Sequence, residues 1–230
     1  MSDSVENNEK YSKTVIKEML ISAVLYLPIS FFVWFYASAL LVIPVKYLLQ
    51  MVLTVWQPEL FNAVTQHHYL LSIETLIFPK ETFSGQGDKL AVLDVSVNPM
   101  LYGYGLAVIS GLVLSVPGLK WSKVVFQIVL GYFVTVFIQT FGSFWEMIKH
   151  LAFEGGPDTS QAILDTGLAP NFIALMYQLS YLIFPAVIPV AYWIVMNNVF
   201  IGEITGLDKK QTRNFKQKTV SDKKQTEEDK

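Results

Sequence analysis

Four long apolar runs, divided by short polar segments, constrain this chain more than any other feature. Crossing the hydrocarbon core of a bilayer takes about 20 predominantly apolar residues in a helix. The runs at about 19–43, 100–116, 124–145 and 172–196 meet or approach that length. The first carries Pro28 and the fourth carries Pro185 and Pro189. Neighbouring helices re-satisfy the carbonyls that proline frees in a membrane, so both read as kinked helices. The second is bounded sharply by Asn98-Pro99 and Pro117-Gly118. Charged residues make up only 16% of the chain, against about 25% in an ordinary soluble domain. They gather at the two ends and in the connecting segments. That distribution excludes a soluble globular enzyme and a wholly disordered chain. The expected fold class is all-α membrane, a four-transmembrane-helix bundle with a small extracytoplasmic β-hairpin. It divides into an N-terminal segment 1–18, a membrane domain 19–200 and a disordered polar tail 201–230.

Basic residues set the orientation, because cytoplasmic segments are enriched in Lys and Arg. Lys10, Lys13, Lys17, Lys120, Lys123 and the basic residues of the tail fall on one side of this arrangement. The other side holds Lys46, Lys80, Lys89 and Lys149. Both termini are therefore expected in the cytoplasm. Ala37-Ser38-Ala39 has the look of a signal-peptide cleavage site, but the apolar core of a signal peptide is about 7–15 residues. Here the run passes straight through into Leu40-Leu41-Val42-Ile43, so the N-terminus is expected to be retained. A net charge of -2 offers no basic field for nucleic acid.

The insert at 44–98 is expected outside. A straight helix from Met19 to Trp56 would be about 57 Å long, so Pro44 is the natural break. Beyond it Lys46, Gln50 and Thr54 recur at spacing four, on a helix otherwise lined by Tyr47, Leu48, Met51, Val52 and Val55. This stripe suits either an interfacial amphipathic helix or a bent continuation of the first span. Gln57-Pro58-Glu59 reads as the start of a further helix leading to His67-His68. Two alternating runs follow, Tyr69–Phe78 and Lys89–Val97, forming a hairpin at about 69–97. Leu71, Ile73 and Ile77 share one face, as do Leu93, Val95 and Val97. Two strands alone are marginal in water, so that face must rest on the amphipathic segment, the 146–171 loop or a partner. The polar faces carry Ser72 with Glu74, and Asp94 with Ser96. A turn centred near Ser84 sets Glu74 opposite Asp94, where like charges are unfavourable. A shifted register on a solvated face is expected in preference to a paired-carboxylate site.

Side-chain chemistry narrows the function further. The chain has no cysteine and its sole arginine, Arg213, lies in the tail, which removes thiolate chemistry and most Arg-based recognition. Histidine occurs at His67, His68 and His150. Adjacent histidines point apart, and no spaced ligand pair occurs, so no metal or other cofactor is expected. Glu146, Lys149 and His150, at i, i+3 and i+4, read as local ion pairing at a helix end. Within the expected span limits there is no ionisable Asp, Glu, Lys, Arg or His, whereas transporters usually place such groups there. This weighs against a small permease or channel subunit. Gln127, Gln139 and Gln178 suit interhelical hydrogen bonds. An enzyme using Glu74 and Asp94 is a third reading, but neither a nucleophile nor oxyanion donors surround the pair. No enzymatic activity is expected.

The most specific local sequence is Asn98-Pro99-Met100-Leu101-Tyr102-Gly103-Tyr104-Gly105. Asn and Pro start a helix, the glycines give smooth backbone surface, and the tyrosines suit a membrane interface. Together with Leu27-Pro28, Phe32 and Trp34-Phe35-Tyr36 in the first run, and Ala174 to Leu179 through Pro185 and Pro189 in the fourth, it resembles the exosortase H-associated membrane protein family. The resemblance covers roughly residues 20–200. It implies an accessory protein of the bacterial inner membrane, assisting an exosortase-type transpeptidase or its substrates in protein sorting. Such transpeptidases resemble one another in using Cys, Arg and His outside the membrane, a set this chain lacks. The hairpin and the start of the second span, with Leu76, Phe78, Asn98, Pro99, Tyr102, Gly103, Tyr104 and Gly105, are the expected partner-binding surface.

Overall fold

The computed structural model describes residues 2–77 and 93–205. The chain opens as one long, bent helical rod. Helix α1 runs Ser2–Tyr36, α2 Ser38–Leu41 and α3 Ile43–Trp56. Single-residue irregularities at Ala37 and Val42 separate them, yet the bonding ladder carries on through Leu41 N–H to Ala37 O (3.0 Å) and Lys46 N–H to Val42 O (3.1 Å). Pro44 sits in the first turn of α3, where its missing N–H costs nothing. Ser38–Trp56 thus prolongs the first helix. Of the two readings the sequence allowed, the bent continuation is the one observed: α3 packs against α6 (Trp121–Phe153) and the sheet, while α1 packs on α5 (Gly105–Leu114).

Among the described residues, four helical stretches are long and apolar enough to cross a membrane: Ser12–Tyr36, Ser38–Trp56, Trp121–Phe153 and Pro170–Met196. This set differs from the expected one. The run at 100–116 forms only a shorter apolar stretch, Met100–Leu114, divided into α4 (Met100–Gly103) and α5. At 1.5 Å per residue it is about 22 Å long. It nevertheless links the two ends of the molecule. Met100 belongs to the large core around the sheet, whereas Val113 and Val116 pack with Met19, Trp193 and Ile201 at the far end. Helix α6, expected at 124–145, extends to Phe153. Its last turns pass into the sheet-bearing end, where Met147, Ile148 and Leu151 are fully buried.

The segment expected to be a helix up to His67-His68 is instead a strand. β1 (Phe61–His67), β2 (Leu70–Thr75) and β3 (Asp94–Val97) form an antiparallel sheet in the order β1-β2-β3. Pro58 lies in a turn, and the Phe-Asn-Ala-Val-Thr run supplies aromatic and β-branched residues that fit a pleated surface. A two-residue turn at His68 and Tyr69, with His68 at φ 57°, pairs β1 with β2. The expected apolar face is the one observed, with Leu71, Ile73, Ile77, Val95 and Val97 buried. The chain covers it itself, using Val45, Leu49 and Leu53 of α3 and Ile148 and Leu151 of α6. Each such side chain contributes about 1.5–3 kcal/mol on burial, so three strands and two helices make a core that two strands could not.

The polar stripe on α3 has a structural use that periodicity alone does not reveal. Gln50 lies along the free edge of β1, its Nε2 donating to Asn62 O (3.3 Å) and its Oε1 accepting the N–H of Val64. A side-chain amide thereby stands in for a fourth strand. Gln66 Nε2 adds a bond to Ala39 O (2.8 Å), fastening the same edge to the first rod. Beyond α6, a short helix α7 (Pro157–Asp165) packs back on it through Ile163, and α8 (Pro170–Gln178) leads through a π-helical turn (Leu179–Ile183) into α9 (Phe184–Met196) and α10 (Asn198–Thr205).

Candidate functional site

The Asn98–Gly105 sequence lies in a seam between the sheet and α6. Asn98 Oδ1 accepts the N–H of Met100 (3.1 Å), the capping bond its side chain predicts. The helix that starts there is held on α6 by residues spaced three and four apart. Gln139 Nε2 donates to Pro99 O (3.2 Å). Tyr102 is completely buried, and its hydroxyl donates to Glu146 Oε2 (3.1 Å). The Glu146 carboxylate also accepts the backbone N–H of Asn98. Two glycines permit this approach. A side chain at Gly142 would run into the Tyr102 ring, and one at Gly103 would meet the Gln139 amide. Gln139, Gly142, Ser143 and Glu146 thus form one face of α6 that receives the motif. Ser143 Oγ, in that face, is buried with no hydrogen-bond partner among the described residues.

On its other side the motif meets the fourth span. Gly105 packs against Pro189, and the Tyr102 ring lies edge-on to Tyr181 at 6.4 Å. Tyr181 belongs to the π-helical turn, a rare irregularity that is frequent at functional sites, and it stacks on Tyr177 at 5.9 Å. Lys149 Nζ sits 5.5 Å above the Tyr177 ring. The local ion pairing expected of this helix end involves Lys149 and His150 with Glu154. Their contacts, the Lys149 hydrogen bond first, hold the Glu154 carboxyl below its ordinary pKa. Glu146 is not part of that pairing. It turns inward to Tyr102.

Sequence reasoning singled out the motif but placed it outward. Pro99, Met100, Tyr102, Gly103 and Gly105 are buried, Asn98 and Tyr104 are half-buried, and Leu101 is exposed. Leu76 is exposed, its N–H bonded to Leu60 O (2.9 Å). Phe78 lies outside the described residues. Glu74 and Asp94 are direct register partners, not shifted, and Glu74 accepts the Asn62 side-chain amide (3.1 Å). What sequence reasoning missed is the receiving face on α6. Its signal was present: Gln139, Gly142, Ser143 and Glu146 recur at i, i+3, i+4 and i+7, a stripe of polar and small residues on one face of the helix.

Long apolar helices arranged around a central short helix, with a sheet gathered at one end, define a helical membrane protein. The chain belongs to the exosortase H-associated membrane protein family, whose model matches residues 13–200. The match covers the helices, the sheet and the seam together. No curated protein and no solved structure matches the chain.

Proposed function

We propose that this protein is a non-enzymatic accessory subunit of an exosortase-type sorting system, working beside the membrane transpeptidase. It is a multi-pass protein of the bacterial inner membrane with both termini in the cytoplasm. The observation that carries the reading is the family match over residues 13–200. Two further features support it. The segments 44–77 and 93–98 and the loop after α6 come together at one end, through Phe61, Val97, Leu151 and Ile163. Met19, Leu119 and Ile201 meet at the other. Alternate connections therefore alternate in side, as the distribution of basic residues requires. The bundle itself is locked by hydrogen bonds between uncharged groups, such as the reciprocal Gln127–Asn197 amide pair at 3.1 and 3.2 Å, which suits a scaffold.

The accessory role rests on association, so it is tested by association. Affinity purification of the tagged protein in mild detergent is expected to bring down an exosortase-type transpeptidase. Deletion of the gene is expected to impair sorting of that enzyme's substrates while leaving the enzyme in the membrane. Purification without the transpeptidase, together with normal sorting in the deletion strain, would remove the proposal. Solute flux through proteoliposomes of the purified chain would favour a permease instead.

A further inference from the structure

The two edges of the sheet are treated differently. β1 has its edge closed by the Gln50 amide. β3 forms the opposite edge. Thr75 N–H bonds to Leu93 O (3.1 Å), so by the alternation of an antiparallel ladder Ile73–Val95 and Leu71–Val97 are the hydrogen-bonded pairs. Glu74–Asp94 and Ser72–Ser96 are then the pairs whose backbone N–H and C=O groups point away from each other. The outward groups of Asp94 and Ser96 have no backbone partner among the described residues. They face an open groove of about 190 Å³ whose far wall is His150, Leu151, Glu154 and Gly155. An edge left unpaired by the described residues is a template for another strand.

Charge says what kind of strand fits. In a non-hydrogen-bonded pair the side chains stand closest, and here they are the carboxylates of Glu74 and Asp94. Among the described residues neither has an ion-pair partner, although such like-charge pairing is destabilising. The groove contributes Glu154 as a third carboxylate, and its His150 and the neighbouring Lys149 are already engaged with it. A second copy of this chain would bring Asp94 against Asp94 or its neighbours and add to the repulsion. A basic segment would relieve it.

We propose that the free edge of β3 is a docking site for an extended peptide that alternates basic and apolar residues. Its backbone exchanges hydrogen bonds with Asp94 and Ser96. Its basic side chains stand beside Asp94 and Glu74, and its apolar ones turn towards Val95 and Leu151. This is strand addition, with affinity from the main chain and preference from the two carboxylates. It does not depend on which protein supplies the segment, so it stands or falls separately from the transpeptidase association.

The test uses the full chain in detergent and three fluorescein-labelled peptides, read by anisotropy. They are acetyl-Lys-Val-Lys-Val-Lys-Val-amide, its Glu-Val counterpart, and a counterpart of the same charge whose lysines are N-methylated and so carry none of the backbone N–H groups that would face Asp94 and Ser96. The Lys-Val peptide is expected to bind saturably, and the other two roughly tenfold more weakly or not at all. Ser96→Pro removes only an outward N–H, a change edge strands tolerate, and is expected to weaken binding by a similar factor. Asp94→Lys is an exposed change that keeps the backbone edge and is expected to abolish the preference for Lys-Val over Glu-Val. Absence of Lys-Val binding overturns the proposal. So does equal binding of the N-methylated peptide, or an unaltered Asp94→Lys variant, which remains decisive if Ser96→Pro fails to fold.

Discussion

The Tyr102 hydroxyl donates to Glu146 across 44 residues of sequence, joining the first turn of the short central helix to α6. The same carboxylate holds the backbone of Asn98, where the sheet ends. One acidic side chain therefore fastens three elements. Tyr102→Phe keeps the buried ring but removes the donor, and is expected to cost about 1–3 kcal/mol. Glu146→Leu removes the acceptor, leaving the Tyr102 hydroxyl and the Asn98 N–H unpaired, and should cost at least as much. Because both variants break the Tyr102–Glu146 bond, the double variant is expected to be clearly less destabilised than the sum of the singles. Unfolding in mixed detergent and denaturant measures this. Strict additivity would show that the bond contributes nothing.

The two glycines of the seam should differ in sensitivity. At Gly142 an added methyl meets the rigid Tyr102 ring, and at Gly103 it meets the end of the Gln139 side chain, which can swing aside. Gly142→Ala is expected to destabilise by about 1–3 kcal/mol, the usual cost of overpacking, and Gly103→Ala by less. Thermal midpoints of the two purified variants give the order, and the reverse order would contradict the packing described.

Gln50 offers a prediction about the sheet alone. Gln50→Leu keeps the helix but leaves the Val64 N–H without its acceptor, at a cost of about 1–3 kcal/mol. Amide exchange at Val64 should accelerate far more than at Ile73 in the central strand. Unchanged exchange at Val64 would mean that the Gln50 contact does not protect that edge.

These residues show how much of the fold was legible in the sequence. The apolar runs and the alternation of Leu71, Ile73 and Ile77 were, because burial imposes a period directly. The strand at 61–67 was not. Its apolar residues, Phe61 and Val64, lie three apart across an irregularity in pairing between Phe61 and Ala63, which erases a period of two and imitates a helical one. The stripe of Lys46, Gln50 and Thr54 was visible, but its meaning depended on a strand edge that no local pattern announces. For the seam, the motif was plain and its direction was not: tyrosines are at home both at a membrane interface and in a buried contact with a carboxylate. Only the matching stripe on α6, from Gln139 to Glu146, distinguishes the two.

Acid should act on the sheet-bearing end through Glu154. Lys149 and His150 lower its folded pKa from the ordinary value of 4.5. A lowered folded pKa means that the stabilisation is present above the unfolded value and is lost as pH falls through the folded one. Glu154 is exposed, so the effect is small and screened by salt. Glu154→Gln is expected to lose slightly less stability than the parent on acidification from pH 7, the difference shrinking in high salt. Thermal midpoints across that range are the measurement, and parallel curves would remove Glu154 from the acid response.

Sidedness can be read cleanly because the chain has no cysteine. Lys120 lies just before α6 and Gln161 on α7, and both are exposed. Single substitutions Lys120→Cys and Gln161→Cys therefore each place one thiol at opposite ends of α6 without altering the core. At about 50 Å from its own length, that helix exceeds the hydrocarbon thickness, so a thiol at either end lies in water. In intact cells with a permeable outer envelope, a membrane-impermeant maleimide is expected to label the Gln161→Cys protein and to spare the Lys120→Cys protein until the inner membrane is opened. The sheet packs beside α7's end of α6, so the same result would place the β3 edge outside the cell membrane. Labelling of Lys120→Cys in intact cells, with protection of Gln161→Cys, would invert the whole arrangement and move the sheet to the cytoplasm.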